Sequence, residues 1–410
     1  MIKELELYIH IPFCVKKCAY CDFLSFPADE KTQQAYIQAL LKELDFYGKK
    51  YRDRTVTTVY IGGGTPSWLN EDDIRAVMGQ VARSFQLSGD AEISIECNPG
   101  TITDQKFLVY RQIGINRLSI GLQSAHNNEL KILGRIHTWE QFIKTYDMAR
   151  KHGFHNINVD LMSSLPGQTP EIFVDSLHQV MRLKPEHISA YSLIIEKGTP
   201  FYDLYRFDAV RQEAGMQTES LPTEEEEYQT TKLTQQILMG EGYHWYEISN
   251  FAKPGYECRH NIGYWKRADY LGVGLGAASL LDNIRYSNTR DLYTYLAETE
   301  QIREGLFQNP IEDASGSRID EVPAVNLHAS AERVSRNAQM EEFMFLGLRM
   351  VDGMYRDEFT KAFGIPIEAV YGDVLEHLQK EELLQKREGR IYLTDKGLDL
   401  NNYVLSQFLL

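Results

Sequence analysis

Several things are scarce in this chain, and each scarcity excludes something. No apolar run in its 410 residues approaches the roughly 18 that a membrane span needs. Met1–Glu6 carries charge where a signal peptide carries an apolar core. Cysteine is rare, with 5 in all, too few for a disulfide framework in a chain of this length. Positive charge is in deficit: Lys and Arg total 43 against 58 Asp and Glu, a net charge of −15. That argues against a nucleic-acid partner, since phosphate binding wants a basic surface. Low-complexity segments are absent, and so are internal repeats. These absences point to a cytoplasmic globular protein with room for two or three domains.

What is present begins with the cysteines. Cys14, Cys18 and Cys21 lie within eight residues, spaced C-x₃-C-x₂-C, in Tyr8-Ile-His10-Ile-Pro12-Phe-Cys14-Val-Lys-Lys-Cys18-Ala-Tyr20-Cys21. Three thiolates on one loop can hold a four-iron cluster and leave one iron open. An open iron can chelate the amino and carboxylate groups of a methionine moiety. The competing reading is zinc, which usually wants four ligands in paired C-x₂₋₄-C arrangements. The other cysteines, Cys97 and Cys258, are distant in sequence.

The first 200 residues alternate two signals. Short apolar, β-branched runs at 5–12, 57–61, 92–97, 117–121, 156–161 and 187–193 predict strands. Amphipathic stretches at 33–46, 72–85, 104–112, 139–152 and 172–182 predict helices between them. Repeated βα units imply an α/β fold with a parallel sheet, either a barrel or a doubly wound sheet. Residues 201–302 break the rhythm and read as a region completing the first domain. Within it, Thr223 followed by Glu224–Glu227 reads as a capped helix start. Residues 303–335 read as a polar surface linker. Residues 336–410 read as helices followed by a hairpin at 384–393, a C-terminal α+β domain ending in a winged-helix-like module.

Ligands of parallel α/β sheets bind beyond the C-terminal ends of the strands. The polar residues there form a set: Gly62-Gly63-Gly64-Thr65 after the second strand, Glu96 after the third, Gln123 after the fourth, then Arg135 and Asp160. Carboxylates suit ribose hydroxyls or an ammonium, and an arginine suits a carboxylate. Tyr20, between two candidate ligands, can stack on an adenine. Each has a plainer alternative, such as Asp160 pairing with Arg135.

Together these motifs resemble the oxygen-independent coproporphyrinogen III oxidase superfamily of radical-SAM proteins, and within it the HemW-type heme chaperones. The shared features are Tyr-Ile-His-Ile-Pro-Phe-Cys, Gly-Gly-Gly-Thr-Pro, Glu-Cys-Asn-Pro, Gly-Leu-Gln-Ser and a C-terminal helical domain. The resemblance implies a partial (β/α)₆ barrel, a 4Fe–4S cluster and S-adenosylmethionine (SAM). It also implies that Tyr8, Tyr20, Gly63, Gly64, Thr65, Glu96, Gln123, Arg135, Asp160, Ile194 and Ala278 match SAM-contacting positions. Where the coproporphyrinogen dehydrogenases carry a further cysteine, this sequence has Phe23, and Tyr8 stands close to the chain start without their N-terminal extension. His260-Asn261-Ile-Gly-Tyr264-Trp265 matches the H-N-x-x-Y-W signature of the HemW-type proteins, with Cys258 just ahead of it. His or Cys can ligate heme iron, and Tyr and Trp can lie against a macrocycle. The plainer reading of that block is structural, with His260 and Asn261 satisfying buried groups and Trp265 in the core.

The expected function is therefore that of a heme chaperone, which binds heme and transfers it to acceptor hemoproteins. The alternative is oxidative decarboxylation of coproporphyrinogen III. Its expected partners are heme, acceptor hemoproteins and a reductant protein for the cluster, with peripheral membrane contact through the acceptors. No residue is assigned as catalytic.

Overall fold

The computed structural model describes residues 3–303, 311–312, 318–319 and 327–410. Six βα units open the chain. The strands are Lys3–Ile11 (β1), Arg54–Gly63 (β2), Gln86–Cys97 (β3), Arg117–Gln123 (β4), Ile157–Ser163 (β5) and His187–Ser192 (β6). The helices between them are Glu30–Lys50 (α1), Glu71–Ser84 (α2), Asp104–Gln112 (α3), Asn127–Ile132 (α4), Trp139–Lys151 (α5) and Pro170–Met181 (α6), with Pro200–Glu213 (α7) after β6. The six strands pair in chain order and in parallel. β1 is buried on both faces over most of its length, as a strand between a helical shell and a filled interior must be.

Local chemistry sets the helix ends. Asp29 caps α1 through the Thr32 N–H, and Thr138 and Gln141 form a capping box on α5. The predicted helix start at Thr223 is observed: Thr223 and Glu226 cap Glu224–Gly240 (α8), with four glutamates in its first turn. The six-residue α4 escaped the sequence reading because it is too short to show a period.

Both edges of the parallel strands are extended. His244–Glu247 (β7) and Asn250–Ala252 (β8) continue antiparallel from β6. Next comes Arg259–Trp265 (α9). Tyr270–Val273 (β9) then lies parallel to β1, and Ala278–Leu281 (β10) and Ile284–Asn288 (β11) follow antiparallel. Beyond Leu292–Arg303 (α10), the pairs Ile311–Glu312 (β12) and Arg318–Ile319 (β13) form a small ladder, and His328–Arg333 (β14) adds to β11. The main sheet thus has 12 strands and runs from β14 to β7 as an open partial barrel.

Much of the expected linker at 303–335 lies outside the described residues. Its described part differs from a linker, because β14 is an edge strand of the main sheet. Its Ala, Ser and Glu side chains are mostly exposed, so no apolar alternation marked it in the sequence. The C-terminal segment runs Arg336–Gly347 (α11), Met354–Tyr355 (β15), Arg356–Phe363 (α12), Glu368–Lys380 (α13), Leu384–Arg387 (β16) and Arg390–Leu393 (β17). Its sheet order is β15-β17-β16. Asp395–Asp399 (α14) and Asn401–Ser406 (α15) end the described chain. No helix among the described residues is long and apolar enough to cross a membrane.

Candidate functional site

The cluster loop leaves β1 at Pro12 and returns at Phe26, and it is tied at both ends. Cys14 N–H donates to the Phe26 carbonyl at 3.2 Å, and Phe26 N–H to the Pro12 carbonyl at 2.9 Å. Midway, Ala19 N–H donates to the Leu133 carbonyl at 3.0 Å. Gly134, next to that carbonyl, has φ +74°, and a Cβ there would stand 3.5 Å from the Ala19 nitrogen. His10 is an anchor the sequence reading passed over as a strand residue: its ring bonds the Tyr8 hydroxyl at 3.0 Å and the Leu24 carbonyl at 2.9 Å. Gly63, with φ +115°, lies against that same ring, where a Cβ would sit 2.5 Å from it.

Cys14, Cys18 and Cys21 line one cavity of about 550 Å³ inside the barrel mouth. Among the described residues no three His, Cys, Asp or Glu side chains converge on a single ion position. Three thiols around open space suit a polynuclear cluster, where each thiolate takes its own iron. Burial pushes the Cys14 and Cys21 thiols upward, and bound iron reverses that by deprotonating its ligands. Arg135 is the neighbouring cation, 3.7 Å from Cys18 Sγ, with its other arm on the Gly121 carbonyl at 2.6 Å.

The same cavity gathers Tyr20, Gly63, Gly64, Thr65, Glu96, Gln123, Arg135, Asp160 and Ile194. Glu96 accepts from the Gly63 N–H at 3.0 Å and the Tyr60 hydroxyl at 3.2 Å. Burial first, then the Asp160 charge, lift its pKa to about 7. Asp160 accepts from Asn158 at 2.7 Å and Ser119 at 3.2 Å, so its partners are these and not Arg135. Gln123 stands at a register shift with φ +78°, a strained position for a side-chain-bearing residue and one that clusters at ligand sites. Asn98 Oδ1, Arg117 Nε and Arg135 Nε are buried without partners around this cavity, and they offer an acceptor and two donors to a ligand. A zwitterionic, hydroxyl-bearing molecule such as SAM fits those residues.

Two of the expected SAM positions, Tyr8 and Ala278, are not in the lining of this cavity. Tyr8 does not line the cavity; its ring is covered by Tyr60, with centroids 6.4 Å apart. Ala278 is exposed on β10, beyond β9, where the sheet has already turned antiparallel. The sequence reading in turn missed Tyr60, Asn98, Arg117, Ser119, Asn158, Ser189 and Tyr191, all of which line the cavity. Their signal was available, since Arg117, Ser119, Gly121 and Gln123 alternate with apolar residues along one strand and therefore face one side.

The H-N-x-x-Y-W block forms α9, which packs across the opposite end of the barrel. The Glu92 carboxylate caps it, accepting from the Cys258 thiol at 3.5 Å and from the Arg259 and His260 N–H groups at 3.1 and 3.3 Å. His260 is 1% exposed. Its Nδ1 bonds Thr58 at 2.7 Å, its Nε2 bonds Tyr264 at 3.0 Å, and the ring stacks on Tyr60. Burial, helped by the Arg117 charge, lowers its pKa to about 3 and keeps it neutral. Cys258 is fully buried. The expectation that His260 or Cys258 is presented as an axial ligand is therefore corrected for this conformation: both ring nitrogens and the thiol are engaged inside the protein. Tyr264 is held edge-on by Tyr270, and the Trp265 ring is faced by the Arg349 guanidinium at 4.4 Å. Asn261 alone of the block reaches the cavity.

A family model of the Radical SAM superfamily matches residues 8–180, and one of the HemN C-terminal domain matches 334–400. The heme chaperone HemW of Lactococcus lactis is 36% identical over 410 residues, covering 100% of this chain and 98% of that protein. The heme chaperone HemW of Bacillus subtilis is 33% identical over 403 residues, 98% of each. The HemW of Escherichia coli is 40% identical over 277 residues, covering 67% of this chain and 70% of that protein. Among solved structures, the radical-SAM coproporphyrinogen III oxidase HemN of Escherichia coli superposes with a TM-score of 0.77 at 24% identity, over 99% of this chain and 90% of that one. That likeness establishes the fold.

Proposed function

The chain belongs to the HemW family of heme chaperones, and on that premise we propose that it binds heme and passes it to acceptor hemoproteins. A 4Fe–4S cluster and SAM accompany this work, and together they supply one-electron chemistry when bound. Cys14, Cys18 and Cys21 would hold the cluster. Arg135 orients Cys18 and would meet the SAM carboxylate, Glu96 and Asp160 would take its hydroxyl and ammonium groups, and Tyr20 would close over it. His10 keeps the loop in place, and the barrel wall excludes water.

The observation that carries this reading is one continuous cavity. It runs from the three-thiol loop to Asn261, so the H-N-x-x-Y-W helix is a wall of the cluster chamber. A reductant protein would reach the cluster over Val15–Lys17, which is exposed. We place the protein in the cytoplasm, with membrane contact only through its acceptors.

The test is a hemin titration of the cluster-reconstituted protein, with and without SAM, followed through the Soret band. A saturable shift is expected, and its absence overturns the reading. The second reading, coproporphyrinogen decarboxylation, is opposed by Phe23, a 65% exposed apolar side chain where that activity carries a cysteine. Anaerobic turnover yielding protoporphyrinogen would revive it.

A further inference from the structure

At the closed end of the cavity stands a guanidinium that no other residue hydrogen-bonds. Arg117 opens β4 and lines the cavity, four residues before Gly121, whose carbonyl Arg135 grips. At about 3.3 Å per residue, that is roughly 13 Å deeper along the strand. The Arg117 side chain is 2% exposed, its Nε has no partner, and its guanidinium makes no hydrogen bond or ion pair among the described residues. A guanidinium keeps its charge in proteins and carries five N–H donors in a planar fork. Glu92 attracts this charge through space, but its buried donors stay unfilled, which is costly.

The carboxylates around it are engaged elsewhere. Glu92 accepts from Cys258, Arg259 and His260. Asp160 accepts from Asn158 and Ser119. Glu96 accepts from Tyr60 and the Gly63 N–H. Glu6, pushed up to about 9 by burial and then by Glu92, is neutral at physiological pH. Ser94, the register partner of Arg117, adds a second buried polar atom without a partner. Tyr60 stands beside Ser94 on the next strand, and Asn158 and Asn261 contribute amides to the same cavity. Tyr60 and Asn158 already donate to Glu96, Ser119 and Asp160, so the unfilled donors of the floor are the Arg117 guanidinium and the Ser94 hydroxyl, a pair matched to an oxyanion.

We propose that the barrel floor is a carboxylate-binding site, in which Arg117 takes the carboxylate of a small organic acid beneath the SAM-contacting residues. The fork of the guanidinium matches a carboxylate bidentately. A free acid is favoured over a tetrapyrrole side chain because α9 closes the floor, leaving entry from the cluster mouth only. The site goes beyond heme handling and gives the barrel a second small-molecule ligand.

The probe is sodium propionate, titrated by calorimetry into the cluster-reconstituted protein in chloride-poor buffer, with propionamide as its neutral isostere. Saturable binding of propionate and none of propionamide is expected. Arg117→Gln is expected to weaken propionate binding at least about tenfold, and Arg117→Lys to keep part of it. No binding to the wild-type protein, or equal binding of the amide, overturns the proposal without any variant. Displacement of bound propionate by hemin overturns the free-acid assignment. Hemin binding is read separately from the Soret band, so failure here is distinguishable from failure of the chaperone reading.

Discussion

The two ends of the barrel are built from the same kinds of residue and differ in what those residues have left to offer. At the mouth, Cys14, Cys18 and Cys21 line open space, and Arg135 reaches the Cys18 thiol and the Gly121 carbonyl. At the floor, Cys258, His260 and Tyr264 are engaged with Glu92, Thr58 and each other, and Arg349 covers Trp265. The C-terminal segment tightens that end, with Arg267 and Arg285 both held by Glu342 at 2.8 and 2.6 Å. A cysteine or histidine becomes a ligand when its lone pairs are free, and that is a property of its neighbours. Heme binding at the floor therefore requires α9 to open, whereas the mouth is ready as it stands.

The largest test of this contrast exchanges one cysteine at each end. Cys14→Ala is expected to abolish iron binding almost completely, read as iron content and visible absorbance after reconstitution, while Cys258→Ala keeps both. Equal iron in the two variants would erase the distinction between the ends. Next in size is His260→Ala. It leaves Thr58 and Tyr264 without their imidazole partner inside the core, and a loss of about 3 kcal/mol in urea unfolding of the heme-free protein is expected. A change within about 0.5 kcal/mol would show the floor to be looser than its hydrogen bonds imply.

The third test is one of pH. Glu6 has a pKa raised from 4.5 to about 9, chiefly by burial, then by Glu92. Between those values the folded protein keeps a proton that the unfolded chain has released. Stability contributed by the neutral carboxyl is thus present at low pH and falls as pH rises, by up to about 1.4 kcal/mol per unit. Glu6→Gln is expected to flatten this slope, so that it exceeds wild type in stability at about pH 8 and matches it at about pH 5. Identical pH profiles of unfolding for the two proteins would mean that water reaches the floor and that Glu6 ionises normally.

How much of this was legible in advance depended on whether neighbouring residues in sequence carry the information. The six strands and most of their helices were readable because apolar runs and amphipathic periods are local patterns. The cluster loop was readable for the same reason, since its three thiols share one short segment. β14 was not, because an exposed edge strand needs no apolar code. Tyr8 and Ala278 were expected at the site by the resemblance alone; in the structure neither lines the cavity, Tyr8 lying behind Tyr60 and Ala278 past the turn of the sheet.

The sequence alone determined that three thiols share one loop, that the fold is a run of βα units, and that a polar set stands at the strand ends. These follow from spacing and periodicity within short windows. Only the tertiary structure decided which polar atoms remain unclaimed. His260 stands out in the sequence as a candidate ligand, whereas Arg117 does not. Packing brings Thr58 and Tyr264 from separate segments to consume the imidazole, and it brings no partner to the guanidinium. Hydrogen-bond satisfaction in an interior is settled by groups far apart in the chain, so no local pattern could have told the two apart.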